Sequence, residues 1–244
     1  MTAVITALSR PDQVRQDLAM AYRIFAHLGW DDLTYTHLSA RIPGRDAFLI
    51  QPFGLLFEEV RPEDLIEVSF EGEVLDRKNH SFNHTGYVIH GSIYKARPDL
   101  NASFHLHTID GVAVSAMEEG LLPVSQFALH FYNRISYHDY GSLALEFHGQ
   151  GGKVATDLGQ NKAMLLRNHG TITCGENIQE AFLYANFLEK ACQTQVKCLS
   201  SGRPLIIPPP EICEKAARDL REFEPNFGAR DWQAWMRKLE VKGV

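Results

Sequence analysis

Extended and helical segments alternate along this chain, and the alternation constrains its fold more than any other feature of the sequence. Apolar residues three and four positions apart predict a first helix that opens at Pro11 and ends at Gly29. Alternating residues at 35–42 and 47–51, on either side of a turn at 43–46, predict a β-hairpin.

The rest of the chain continues the alternation, with glycine or proline between many of the elements. Because strands and helices alternate and hairpins are present, we expect a partly antiparallel central sheet with helices on both of its sides. The further predicted elements are a hairpin at 65–70 and 73–75, strands at 102–108, 135–137 and 163–167, and helices at 85–96, 110–119, 143–158 and 178–199.

Three consecutive prolines at 208–210 separate the body of the chain from its last residues. We assign residues 1–205 to one α/β domain. Residues 206–244 are predicted to form a tail of two short helices, packed on the same domain or on a neighbouring subunit. The loop at 76–84 is interpreted as a mobile lid.

Composition excludes several classes of protein. The 244 residues are 45% apolar and 22% charged, which is typical of a globular protein and not of a disordered, collagen-like or coiled-coil chain. With 30 acidic against 24 basic residues, the formal charge of -6 argues against nucleic acid or an anionic membrane surface as a partner. No apolar run approaches the roughly 20 residues of a membrane-spanning helix.

The cysteines indicate a reducing compartment. The four of them form no C-x-x-C pair and lie in the last third of the chain, so we expect reduced thiols. Residues 1–8 lack the charged start of a secretory signal and are too short to be one. We therefore expect a cytoplasmic protein.

Two histidines, His105 and His107, lie two positions apart on the predicted strand at 102–108. Alternate residues of a strand point to the same face, so both imidazoles can reach one ion. A third candidate, His169, follows an apolar strand and is itself followed by Gly170. Three neutral imidazoles with an open coordination position are typical of a catalytic metal site. A simple pair of surface histidines is the alternative for the H-x-H motif.

Five segments resemble a known family. They are RPDLNASFHLH at 97–107, RNHG at 167–170, THLSAR at 36–41, QPFG at 51–54 and FEGEV at 70–74. By their sequences, and by their order and spacing along the chain, these segments resemble the class II aldolase/adducin family. Fuculose-phosphate aldolase and ribulose-phosphate 4-epimerase are related to this family. The resemblance covers roughly residues 12–205, and it is closer to the adducin-like branch than to the sugar-phosphate aldolases.

The resemblance implies a fold, a metal and a class of reaction. The implied fold is a three-layer α/β/α sandwich with a mostly antiparallel central sheet, commonly assembled as a homotetramer with its sites between subunits. The implied cofactor is a divalent metal ion of the zinc type, held by His105, His107 and His169. A small-molecule substrate and a lyase reaction are implied as well, either aldol cleavage or decarboxylation through a metal-stabilised enolate.

The residues that bind phosphate in the family's aldolases are replaced here. Their small hydroxyl and amide donors give way to Thr36–His37, Phe53–Gly54 and His84–Gly86. Phosphate binding depends on such donors, so we expect a substrate without phosphate. The candidate substrate-binding residues are His37, Phe53, Gly54, Thr85 and Gly86.

The acid/base groups of those aldolases are also missing. Their general acid/base carboxylate would fall at Gly86, which has no side chain, and their proton-donating tyrosine would fall near Phe127. Another group must then move the proton, and histidines titrate in a suitable range. We take His130 and His84 as candidate catalytic residues, although each could instead be an ordinary surface or core histidine.

The pair His138–Asp139 suggests a histidine–carboxylate relay. Adjacent residues of a strand point to opposite faces, so these two side chains cannot bond to each other. A structural role is the interpretation we favour for this segment, YHDY at 137–140.

Three functions are open at this point. The first is a metal-dependent lyase for a non-phosphorylated hydroxy or oxo substrate, and the intact set of three histidines favours it. The second is a non-catalytic, adducin-like binding or scaffold domain with a vestigial metal site, which Gly86 and Phe127 favour. The third is a sugar epimerase or isomerase.

Overall fold

A seven-stranded sheet forms the centre of the molecule. The computed structural model describes residues 11–76 and 80–242. Its strands are β1 (His37–Arg41), β2 (Ala47–Ile50), β3 (Ile66–Ser69), β4 (Ala102–Leu106), β5 (Ile135–His138), β6 (Ala163–Leu166) and β7 (Gly170–Gly175). They lie in the order β3-β2-β1-β4-β7-β6-β5, and among the described strand pairs only β5 and β6 are parallel.

Helices cover both faces of this sheet. Within the described residues they are α1 (Pro11–Leu28), α2 (His84–Ala96), α3 (Ile109–Ser115), α4 (Gln126–Leu129), α5 (Gly152–Leu158), α6 (Ile178–Ser200), α7 (Pro210–Phe223) and α8 (Ala229–Lys242). On one face, α1, α6 and α8 share a buried cluster with the sheet that includes Phe25, Phe104 and Trp232. On the other face, Ile89 of α2 and Leu158 of α5 pack together. The predicted α/β/α sandwich with a mostly antiparallel sheet is confirmed.

Apolar spacing and capping residues explain the predicted helices. In α1, Leu18, Tyr22 and Phe25 are fully buried against the sheet. Gly29 ends this helix with a φ of 68°, a conformation that glycine adopts without steric cost. The side chain of Asn83 caps the first turn of α2 by accepting a hydrogen bond from the backbone N–H of Thr85.

Strand β7 and helix α4 are absent from the sequence-based prediction. Strand β7 has glycine at both ends, and glycine favours turns. Pairing with β4 on one side and β6 on the other nevertheless holds this segment as a strand. Helix α4 has only four residues, too few for helical periodicity to show, and is capped by Ser125.

The predicted helix at 143–158 is wrong in its first part. The backbone N–H groups of Leu145 and Glu146 donate to the side-chain oxygen of Gln150 at 2.7 and 3.2 Å, which holds residues 143–146 out of a helix. A π-helical turn at Phe147–Gly151 then leads into α5. Two smaller differences are that the helix predicted at 110–119 ends at Ser115, and that the strand predicted at 73–75 is a single bridge from Val74 to Val68.

Several histidines lie at one end of the sheet. His37, at the start of β1, is the antiparallel partner of His105 in β4. His138, the last residue of β5, is the parallel partner of Leu166 at the end of β6. Because β4, β5 and β6 run in the same direction, the residues that follow β4 and β6 emerge at this same end.

The C-terminal helices pack on the body of the fold. Trp232 of α8 is 1% exposed, in the cluster that also contains residues of α1 and the sheet. The division of the chain at residue 205 stays a prediction. None of the described helices has the length and apolar character needed to cross a membrane. Residues 1–8, considered above as a leader, and 77–79 of the predicted lid lie outside the described residues.

Candidate metal centre

Three histidines converge at this end of the sheet. His105 lies on β4, His107 follows that strand, and His169 lies in the turn between β6 and β7. One ring nitrogen from each lies within 4.8 Å of the others, and Nε2 of His105 is 2.9 Å from Nε2 of His107. The turn that carries His169 depends on Asn168, whose φ of 59° lies in the left-handed region that asparagine tolerates.

The hydrogen bonds behind these rings aim their Nε2 atoms at one point. Nδ1 of His105 lies 3.0 Å from the carbonyl oxygen of Thr171, and a carbonyl oxygen can only accept, so Nδ1 donates. Nδ1 of His107 lies 2.9 Å from Oδ2 of Asp32. With both Nδ1 atoms engaged, the two Nε2 atoms that face each other are left to bind a cation, as in known histidine–metal sites.

Burial keeps two of these imidazoles, those of His105 and His169, in the form that binds metal. It lowers the pKa of His105 well below its usual value, and neighbouring His107 lowers it further. Burial likewise lowers the pKa of His169 to about 4. Neutral imidazole is the ligand form of histidine. The three side chains therefore fit a divalent cation, and in the described part of the chain no other group of three His, Cys, Asp or Glu side chains does so.

His37, the next histidine in the site, belongs to a chain of buried side-chain hydrogen bonds. Nδ1 of His37 lies 2.8 Å from Nε2 of His90, and Nδ1 of His90 lies 2.9 Å from Oγ of Ser103. The Cys174 thiol donates to the same Oγ at 3.6 Å. The Ser103 hydroxyl can accept two hydrogen bonds and donate one, so either His37 Nδ1 or His90 Nε2 can carry the proton that these two nitrogens share.

A cavity of about 250 Å³ opens beside the three histidines. Most of its wall is apolar, and the rings of Tyr35 and Phe53 meet edge to face with centroids 6.4 Å apart. Among the described residues that line it, Arg167 has the only permanently charged side chain. Its guanidinium donates to the carbonyl oxygens of Met117 and Glu118, so it is engaged away from the cavity.

Comparisons with known proteins agree with this geometry. Residues 16–196 match the family model described as the Class II Aldolase and Adducin N-terminal domain. A Caulobacter vibrioides protein, whose name assigns it provisionally to aldolase class 2, is 41% identical over 93% of this chain and 89% of its own length.

The chain belongs to the class II aldolase/adducin family.

For two further members of the family, the match covers very different shares of the relative's own length. Alpha-adducin of Rattus norvegicus is 40% identical over 78% of this chain but only 26% of its own length. The structure of an L-fuculose 1-phosphate aldolase from Glaciozyma antarctica is 30% identical, with a TM-score of 0.84 over 96% of this chain and 91% of that one.

A side chain has little room at residue 86, where the resemblance implies the family's acid/base carboxylate. A Cβ atom on Gly86 would lie 3.0 Å from Cγ of His37 and 3.0 Å from Cδ1 of Ile50. The His37 ring therefore occupies the space into which a longer side chain would extend. Phe127, near which the resemblance implies the family's tyrosine, is partly exposed and packs beside Phe187.

The predicted substrate-binding residues divide into two groups. His37, Phe53 and Thr85 line the cavity beside the three histidines. Gly54 and Gly86 do not line it. The roles of all five residues in binding stay predictions. Because Gly86 has no side chain, the His37 ring can pack directly against it.

The two predicted catalytic histidines lie elsewhere in a single chain. His130 lines a different cavity, of about 560 Å³, and stacks on Phe187 with ring centroids 4.3 Å apart. His84 is exposed, with Nε2 3.1 Å from the carbonyl oxygen of Leu145. Neither lines the cavity of the three histidines, because α4 carries His130 away from it and the His84 side chain turns toward Leu145. Their catalytic roles stay predictions that the fold of one chain does not support.

Proposed function

We propose that this protein is a metal-dependent lyase that acts on a small hydroxy or oxo substrate without phosphate. Membership of the class II aldolase/adducin family supports an aldolase-type lyase in general. The observation that carries the proposal is the convergence of His105, His107 and His169 beside a mostly apolar cavity. Three imidazole nitrogens with an open position suit a catalytic divalent ion, for which we propose zinc.

Each group of the site has a part in this proposal. A divalent ion held by the three histidines supplies Lewis-acid stabilisation of negative charge on a substrate oxygen, as enolate formation requires. Asp32 and the carbonyl group of Thr171 orient two of the ligand rings. Buried apolar side chains such as Ile89 and Val154 line the cavity, and an apolar wall strengthens electrostatic interactions beside it. The ring of His37 lines the cavity and can form a hydrogen bond with a substrate oxygen.

The absence of phosphate from the substrate is supported by charge. A phosphate group is commonly bound by a free cation or by a cluster of backbone N–H groups. In the described wall of the cavity the one guanidinium, of Arg167, is engaged with carbonyl oxygens. Bulky His37 and Phe53 line the places where the family's aldolases carry small polar donors.

Metal analysis combined with a paired substrate screen tests the proposal. Protein purified without chelator is expected to hold about one divalent ion per chain. His105→Ala and His169→Ala should lose both the ion and the activity while keeping the circular dichroism of the wild type. The screen compares hydroxy and oxo acids with and without a phosphate group, and follows release of carbon dioxide or an aldehyde. Loading far below one ion per chain, with no turnover after zinc is added, would contradict the proposal.

A non-catalytic, adducin-like binding domain is the second candidate. The identity with alpha-adducin and the missing side chain at Gly86 favour it. In that case His105→Ala should leave partner binding and stability unchanged, and no member of the substrate screen should turn over in the zinc-loaded protein.

Self-association and cellular location complete the proposal. Apolar side chains are exposed close to the metal-binding segments, with Ile109 83% and Leu33 67% exposed. Exposed apolar groups of this kind are typical of interfaces, which supports the homotetramer implied by the family. Light scattering should then report four chains per particle.

The cysteines form no disulfide within the described residues, which supports a cytoplasmic location.

A further inference from the structure

His138 is a cavity residue whose partner is a carboxylate far from it in sequence. It is the last residue of β5 and lines the cavity that the three histidines share. Its Nδ1 lies 2.6 Å from Oδ2 of Asp157 in α5. The neighbouring Asp139 is exposed and makes no hydrogen bond to His138, as the alternation of strand residues predicts.

Asp157 is held in its ionised form. Burial raises its pKa, but hydrogen bonds from Lys153 and His138 lower it, and the net result is a pKa below its usual value. Nζ of Lys153 lies 2.9 Å from the same Oδ2. An ionised carboxylate can only accept hydrogen bonds, so His138 donates to it through Nδ1–H.

The second ring nitrogen of His138, Nε2, is available to a molecule bound in the cavity. No described residue forms a hydrogen bond with Nε2 of His138, and the side chain is 15% exposed where it lines the wall. In the neutral ring with Nδ1 protonated, Nε2 carries a lone pair. The backbone of His138 is paired with the segment that leads to His169, since the backbone N–H of Arg167 donates to the carbonyl oxygen of His138 at 2.8 Å.

We propose that His138 is a catalytic residue that transfers protons in this cavity and that Asp157 positions it. The inference rests on the lyase function proposed above and names the group that moves its proton. Neither Gly86 nor the partly exposed Phe127 can do so. A histidine whose Nδ1–H is held by a carboxylate and whose Nε2 faces substrate is a recurrent general base.

The proton balance of the step closes without a co-reactant. In an aldol cleavage, Nε2 takes the proton of the substrate's β-hydroxyl group. The O–H electron pair forms the new carbonyl bond, the Cα–Cβ bond breaks, and its electron pair enters the enolate. His138 then returns the proton to the enolate carbon. With an enolisable oxo acid in D2O, the same nitrogen takes an α-proton and returns a deuteron that it has exchanged with solvent.

The protonation state of the His138 ring is directly measurable. Nitrogen-15 NMR of the zinc-loaded full chain, labelled at histidine, reports which ring nitrogen carries the proton, and His138→Gln assigns the signal. We expect a protonated Nδ1 and, in the neutral ring, an unprotonated Nε2. A neutral His138 ring with its proton on Nε2 overturns the inference.

Hydrogen–deuterium exchange of pyruvate and other small enolisable oxo acids tests the transfer itself. Zinc-loaded wild-type protein should accelerate exchange, and His138→Gln, with unchanged zinc content, should lose about 100-fold or more of the acceleration. Asp157→Asn should lose part of it, and Asp157→Glu should recover some. The matched control is Asp139→Asn, which removes one negative charge beside His138 and should exchange like the wild type.

The outcomes separate this inference from the proposed function. Full exchange by zinc-loaded His138→Gln overturns the inference and leaves the lyase proposal intact. A zinc-loaded wild-type protein that exchanges none of the oxo acids also overturns the inference. A chain that binds no zinc overturns the lyase proposal and, with it, the inference that rests on it.

Discussion

Nδ1 of His107 lies 2.9 Å from Oδ2 of Asp32, a residue 75 positions earlier in the chain. The carboxylate holds the ring so that Nε2 faces His105 and His169. The backbone beside it is unusual, since Leu33 has a φ of 48° in the left-handed region. Leu33 thus has a sparsely populated backbone conformation next to the carboxylate that orients His107, and such residues are common at functional sites.

Replacing this carboxylate should weaken metal binding. Asp32→Asn is expected to lower zinc affinity about 10- to 100-fold, the usual effect of losing a group that orients a ligand. Competition against a chelator of known affinity measures the change. Asp31→Asn is the matched control, because it removes the same charge one position away and should bind like the wild type. Equal affinities of the two variants would contradict the role of Asp32.

The turn after His169 should tolerate no side chain at Gly170. A Cβ atom there would overlap the carbonyl oxygen of Leu106 and lie 3.1 Å from Cδ2 of His107. Gly170→Ala is therefore expected to destabilise the fold by about 1–3 kcal/mol and to weaken zinc binding. Urea unfolding measures the first effect. Gly141→Ala, where no atom lies within 4 Å, should change neither quantity.

The buried His90 should make stability depend on pH. Burial lowers its pKa to about 3, whereas the unfolded chain has a histidine pKa of about 6.5. Between these values the unfolded chain binds a proton that the folded chain does not. The free energy of unfolding should therefore fall as the pH drops, by at most about 1.4 kcal/mol per pH unit from this group.

Urea unfolding of metal-free protein over a pH series checks this dependence. His90→Gln should show a shallower loss of stability on acidification than the wild type. His148→Gln, a change at an exposed histidine, should keep the wild-type slope. Parallel slopes for His90→Gln and the wild type would show that His90 is not the buried neutral group described here.

The C-terminal helices should contribute to the stability of the whole fold. Trp232 is 1% exposed and packs against Phe182 with ring centroids 5.6 Å apart. Trp232→Ala is expected to cost about 3–5 kcal/mol of unfolding free energy. Trp235→Ala, at a partly exposed position, should cost less. A cost below about 1 kcal/mol for Trp232→Ala would show that the tail is independent of the body.

The sequence predicts those parts of the fold that depend on local periodicity. Helix α1 follows from apolar spacing, and β4 presents His105 toward the cavity because strand residues alternate. Strand β7 escapes such a prediction because its pairing with β4 and β6 holds a glycine-flanked segment in the sheet. Pairing of this kind depends on distant residues and leaves little local signal.

The candidate site was predictable where its residues share a strand or a short motif. His105, His107 and His169 satisfy that condition, and they converge as expected. The pairing of His138 with Asp157 does not, because it depends on how α5 packs beside β5. The same limit applies to His130, whose distance along the chain from His107 could not show that α4 carries it to another cavity.

X-ray absorption at the zinc edge of the zinc-loaded protein tests the central claim most directly. We predict about one zinc per chain with three imidazole nitrogens at 2.0–2.1 Å and one further light-atom ligand. Each of His105→Ala, His107→Ala and His169→Ala should abolish this spectrum. A shell that contains sulfur, fewer than three imidazoles in the wild type, or an unchanged spectrum in the three variants would contradict the account.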